Sequence, residues 1–230
     1  MKLRFCVTAA TLLATSMISQ QASASLMLDA SYQGLSGQNV QVVNNGQSRT
    51  VQAGLMQFNL ASNTNTSVLP FDSNGLSIEA FCVEFTQDVK SGWQSYSLVE
   101  TAQVFSSAQS QAIERLYTAY HDQVGTQSSN AAFQLALWEV VHETSTNWSL
   151  SDGDFKLSSM NGAGNLANGW LSSLDSIESQ FNLYVLTNAD SQNQLVFSGV
   201  PLNTTTPVPV PATLGLFGLG ALLLLRRRKN

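Results

Sequence analysis

Hydrophobic residues in the first hundred positions of this chain come in short runs, several of them alternating with polar ones. Residues 40–43, 50–60, 76–85 and 95–100 read as strands, because alternation puts successive side chains on opposite faces. Asn44-Asn45-Gly46, Ser62-Asn63-Thr64-Asn65 and Asp72-Ser73-Asn74-Gly75 are turn compositions between them, and Asn45-Gly46 predicts a tight hairpin. The period then changes. Ile113, Leu116, Tyr117 and Tyr120 recur at helical spacing, so residues 108–121 form a helix. A second helix is expected over 129–143, opening at a Ser/Asn cap, and a shorter one around Trp170, Leu174 and Ile177. Residues 152–168, rich in Gly, Asn and Ser, read as a loop, and 183–187 and 194–197 as closing strands. The expected class is α+β: a β-sandwich or barrel-like framework with an inserted helical lobe.

At both ends the pattern gives way to unbroken apolar stretches. Met1-Lys2-Leu3-Arg4 is basic, residues 5–18 are uncharged and largely apolar, and Ala22-Ser23-Ala24 follows. That order is a secretory signal peptide, cleaved between Ala24 and Ser25. Residues 212–225 are again apolar or small, with Arg226-Arg227-Arg228-Lys229 directly behind. The stretch falls short of the ~20 residues that span a bilayer comfortably, so it reads as a short transmembrane helix. The basic cluster places its end in the cytoplasm. A Pro/Thr linker, 201–211, precedes it. Val208-Pro209-Val210-Pro211, the Gly/Leu-rich segment and the arginines together resemble the PEP-CTERM sorting signals of Gram-negative bacteria, in which Glu usually stands where Val210 does here. The resemblance implies processing by an exosortase, a membrane cysteine protease. The precursor would be anchored in the inner membrane, and the mature protein would reach the cell surface or extracellular matrix. A plain tail anchor is the alternative.

Between the ends lies one domain, 25–200. The fifteen acidic residues of the chain all fall within this domain, opposed there only by Arg49, Lys90, Arg115 and Lys156. Such a surface argues against nucleic acid and anionic membranes as partners. Of two cysteines, Cys6 leaves with the signal peptide. Cys82 is then a single thiol in an oxidising compartment, which requires a reason.

Phe81-Cys82-Val83-Glu84-Phe85 alternates like a strand, placing Cys82 and Glu84 on one face and Phe81, Val83 and Phe85 on the other. On the 129–143 helix, Gln134 takes the centre of the apolar face. Val141, Trp138, Ala131 and Leu137 fall within about 60° of it, His142 about 80° away, and Glu139 and Glu143 on the far side. A buried amide without partners costs about 1–3 kcal/mol, so something must satisfy or consume it. A thiol and a carboxamide in a dry site can react: sulfur attacks the carbonyl, ammonia leaves, and an internal thioester remains. The bland alternatives are a cysteine acting as a small core residue, Gln134 bonding to the backbone of a neighbouring strand, and Trp138 filling the core.

These two segments resemble the thioester domains of bacterial surface adhesins. The carrying residues are Phe81-Cys82 with Glu84 two positions on (usually Asp there), and Phe133-Gln134-Leu135-Ala136-Leu137-Trp138. The resemblance implies an adhesin that couples covalently to an amine on a surface protein or polysaccharide. Cys82 and Gln134 would form the thioester; Phe81, Glu84, Phe133, Trp138 and His142 would form its pocket, with His142 a better-placed proton-transfer group than Glu139. No enzyme, cofactor or metal is expected. No elbow or protease signature surrounds Cys82 to support a hydrolase with His142 or His121, no metal-ligand spacing occurs, and no Gly-rich phosphate loop is present. The alternative function is a non-covalent biofilm or exopolysaccharide-associated protein, binding glycans through Asn/Ser-rich loops and Trp93, Trp148 and Trp170.

Overall fold

The computed structural model describes residues 26–85 and 87–197. Ala24, Ser25, Val208, Pro209, Pro211, Arg226, Arg227 and Arg228, on which the cleavage and sorting expectations rest, lie outside the described residues, as does the expected C-terminal transmembrane helix. Among the described residues no helix is long and apolar enough to cross a membrane.

The two-residue period builds a hairpin longer than the pattern alone suggests. Strand β1 runs Leu26–Asn44 and β2 runs Gln47–Leu60. Asn45 and Gly46, at φ 49° and 76°, join them, the left-handed pair that a two-residue hairpin turn requires. Gly37 and Gly54 face each other across the ladder. A Cβ on Gly37 would lie 2.0 Å from the Ala53 carbonyl oxygen, and one on Gly54 would lie 2.4 Å from that of Ser36. The two backbones therefore approach where only glycine fits.

The remaining strands are β3 (Ser77–Cys82), β4 (Trp93–Glu100), β5 (Phe155–Leu157), β6 (Tyr184–Thr187) and β7 (Gln194–Val196). The framework expected as a sandwich or barrel is one seven-stranded antiparallel sheet, ordered β2-β3-β7-β6-β4-β1-β5, with β1 also paired to β2. One long strand makes this possible. Residues 26–31 of β1 pair with β4, Ala30 onward pairs with β2, and Val42–Asn44 takes β5.

The helices are α1 (Thr101–Val104), α2 (Ser107–Tyr120), α3 (Gln127–His142) and α4 (Gly162–Leu171). All lie between β4 and β6, as the inserted helical lobe predicts. The expected loop over 152–168 is corrected: it contains β5 and most of α4. Asn161 caps α4 by accepting from the Gly164 N–H at 2.7 Å. Gly164 serves packing rather than turning, since a Cβ there would sit 2.4 Å from Leu157 Cδ1.

Helix α3 is the centre of the molecule. Thr126 accepts from the Ser129 N–H at its start, and every residue from Ser129 to Val140 is buried. It packs on β1, β2, β5, α2 and α4. A helix apolar on only one side would sit at the surface; one covered all round belongs inside. The expectation that Glu139 and Glu143 face away from the core is therefore wrong, because α3 has no outward face there. Phe58, Phe81, Tyr96, Tyr117 and Phe133 are among the largest fully buried side chains of the core. Each contributes about 1.5–3 kcal/mol of transfer free energy.

Candidate functional site

Strand β3 delivers Cys82 at its last position, and α3 delivers Gln134 at the middle of its buried length. Successive residues of a strand direct their backbone polar groups to opposite sides. The Val83 N–H donates to the Asn193 carbonyl, toward β7, at 3.1 Å. The polar groups of Cys82 therefore face the other way, where pairing with β2 has stopped at Met56 and Ala80. The Gln134 carboxamide fills that vacancy in the ladder. Its Oε1 accepts from the Cys82 N–H at 3.0 Å, and its Nε2 donates to the Cys82 carbonyl at 2.7 Å. Cys82 is 1% exposed and Gln134 0%.

The fold thus brings together the two residues singled out from sequence. It also gives Gln134 the backbone partner that the bland reading requires: the amide is satisfied by main chain, while its carbonyl carbon is held beside Cys82.

The thiol is free, and it donates to the Glu84 carbonyl at 3.2 Å. Burial pushes its pKa up to about 12, with hydrogen bonding to the Glu84 backbone and to the Trp138 indole offsetting part of the rise. That indole N–H is buried and falls short of a full hydrogen bond to any acceptor, so what it gives the sulfur is a weak contact. A neutral, desolvated thiol is a poor nucleophile until it loses its proton. Reaction at this site therefore calls for proton removal in concert with attack on the amide.

The expected pocket residues divide. Phe81 and Phe133 pack on each other, ring centres 4.6 Å apart, and wall the site from one side. Trp138 lies 4.5 Å from Phe85, which lies 4.6 Å from His142. Glu84 does not share a strand face with Cys82, because β3 ends at Cys82; its Oε1 accepts from the Asn193 N–H at 2.8 Å and ties the chain after β3 to the approach to β7. His142 is bonded to the backbone of Val83, and burial lowers its pKa to about 4. Its Nε2 is buried without a partner, so the other ring nitrogen makes that bond. The imidazole is neutral and reaches the site through Phe85. His121 stacks on Tyr117 and bonds the Tyr117 carbonyl at 2.7 Å.

Sequence reasoning missed two carboxyl groups. Glu139 Oε1 accepts from the Ser149 N–H at 2.7 Å, while Oε2 is buried without a partner. Burial, opposed by that bond and helped by the nearby charges of Glu143 and Asp152, pushes its pKa up to about 8. For Glu143 burial acts upward too, but bonds from the backbones of Ser145, Asp154, Phe155 and Thr144 outweigh it and lower the pKa. The two carboxyls pin the 144–154 segment to the end of α3. No periodicity signal announces them; only the position of α3 in the centre does.

Cys82 and Trp138 line a cleft of about 270 Å³ together with Tyr32, Arg49, Phe85 and Asp88. Cys82 is thus almost fully buried yet lines a space that a small group can enter. Among the three tryptophans considered for glycan stacking, Trp93 is 58% exposed and Trp148 half-buried. Trp170 is corrected: it is buried, with its ring stacked 4.9 Å from Tyr120, and cannot offer a face to a ligand. Among the described residues no group of three or more His, Cys, Asp or Glu side chains is placed to hold a metal ion.

No curated protein and no solved structure matches the chain. Residues 207–229 match the PEP-CTERM protein-sorting motif. The chain is accordingly an exported protein, anchored in the membrane through its C-terminus before an exosortase processes it.

Proposed function

We propose that this exported protein is a cell-surface or matrix component that couples covalently to amine-bearing partners through an internal Cys82–Gln134 thioester. The observation that carries the reading is the paired hydrogen bonding, at 3.0 and 2.7 Å, of a fully buried glutamine amide to the backbone of the one cysteine left after signal cleavage. The Cys82 sulfur attacks Gln134 Cδ. The S–H proton passes to the amide nitrogen, the C–N bond breaks, ammonia leaves, and an S–C(=O) bond remains. A partner amine then attacks that carbonyl carbon. The new N–C bond forms, the C–S bond breaks, and the amine proton returns to sulfur. Phe81, Phe133 and Trp138 keep water from the acyl carbon, and a dry site slows the competing hydrolysis. Coupling is stoichiometric, since Gln134 is consumed.

Intact-mass measurement of the purified exported protein tests this. The expected mass is below that of the processed sequence by one ammonia. Methylamine should add its own mass and release one alkylatable thiol. A full-sequence mass with no methylamine adduct refutes it.

A second reading rests on the same hydrogen bonds: Gln134 only completes the ladder at the end of β3, and the protein is a non-covalent structural or glycan-binding component, with exposed Trp93 as a contact. Glycan binding that survives Cys82→Ala and falls with Trp93→Ala favours it.

A further inference from the structure

The cleft in front of Cys82 carries unneutralised charge of both signs. Arg49 lies near the start of β2 and Asp88 lies past the end of β3; both line the cleft. Among the described residues neither is in an ion pair. Arg49 uses one N–H to donate to the Phe85 carbonyl at 3.1 Å, which fixes the guanidinium at the rim with further donors free. A second cleft of about 590 Å³ shares Arg49, Phe85, Gln87 and Asp88 with the first. The two charged residues therefore line both clefts, and Cys82 lines the first.

A domain with only four cations places one of them beside its candidate acyl centre. Were the site built for simple cationic amines, an arginine there would repel them. We propose that the cleft selects an amine carried close to a carboxylate on the same unit, the arrangement found in amino acids, C-terminal lysines and lysines flanked by acidic groups. Arg49 takes the carboxylate, to which its planar fork is matched. Asp88 draws in the ammonium, and the amine, once deprotonated, is held in the cleft that Cys82 lines. This rests on the thioester reading for its chemistry but not for its binding step.

Binding is measured on the exported protein carrying Cys82→Ala, which cannot form the thioester. The probes are γ-aminobutyrate, butylamine and butyrate, followed by NMR titration. The zwitterion is expected to bind about three- to tenfold more tightly than either single-charge probe, the range for a charge-assisted contact near solvent. Arg49→Gln should erase its advantage over butylamine, and Asp88→Asn its advantage over butyrate. Equal affinities, no measurable binding of any probe, or a preference indifferent to both variants overturns the proposal. On the wild-type protein, the rate of acyl transfer should follow the same order. A thioester that reacts alike with all amines, independently of Arg49, removes this inference and leaves the thioester standing. Arg49-dependent zwitterion binding in a protein that keeps its full mass does the reverse.

Discussion

Replacing Gln134 by Leu in a Cys82→Ala background measures what the amide does for the fold, apart from any covalent link. Leu is close in volume, so the cavity contribution is small. What changes is that the Cys82-position N–H and C=O, bonded at 3.0 and 2.7 Å in the parent, lose their partner in a fully buried site. Each orphaned buried group costs about 1–3 kcal/mol. Removing the glutamine's own buried amide returns part of that, so the net loss is expected at about 1–4 kcal/mol. For a domain of ordinary stability, about 5–15 kcal/mol, this is a large fraction. Urea unfolding, with midpoint and slope both recorded, reports it. Gln134→Glu in the same background is the companion. Its carboxyl still accepts from the N–H but turns an oxygen toward the Cys82 carbonyl, so it must stay protonated. A carboxyl whose folded pKa is raised binds a proton that the unfolded chain releases, so stability should drop as pH rises above the unfolded value. A Leu variant within about 0.5 kcal/mol of its parent, the scatter of ordinary surface changes, would mean that the amide does not hold the end of β3, and the argument from ladder completion fails.

Other outcomes follow from the same geometry. Glu139 keeps its proton to about pH 8 in the fold, against an ordinary 4.5, and His142 stays neutral down to about pH 4, against 6.5. Between pH 4.5 and 6.5 the two act in opposite senses and largely cancel; from 6.5 to about 8 Glu139 acts alone, and stability should fall by up to about 2 kcal/mol. Glu139→Gln should flatten that fall in a pH series of thermal melts, and an unchanged slope rules out this assignment. Wherever Cys82 is present as a free thiol, its pKa of about 12 against an ordinary 9.0 predicts native alkylation at pH 8 about a thousandfold slower than in denaturant, since only thiolate reacts; comparable rates contradict the buried placement. Gly54→Ala must force apart backbones 2.4 Å from its new Cβ and should cost about 3 kcal/mol or more by urea unfolding. Removing residues 207–229 should leave export intact and abolish exosortase processing, followed by the size and location of an internally tagged protein in its host.

The sequence by itself determined those features whose signal is local. Asn45-Gly46 had to be a left-handed two-residue turn because few other residues adopt that backbone cheaply. The spacing of Ile113, Leu116, Tyr117 and Tyr120 required a helix, and the apolar and basic ends declared themselves by composition. The Cys82–Gln134 pairing was legible as a demand: one thiol without a partner and one amide on an apolar face. What supplied the amide's partner was not legible, because it depends on β2 parting from β3 after Ala80, a matter of sheet register over distant segments. The same limit hid α4, where glycine reads as a turn signal in sequence but serves Gly164 as clearance for Leu157. It also hid Glu139 and Glu143. A helical wheel sorts residues by angle about one axis and assumes that one side meets water. Only the tertiary structure, by wrapping sheet and helices around α3 from Ser129 to Val140, decided that no side does, and so turned two apparent surface carboxylates into buried groups that organise the segment after it.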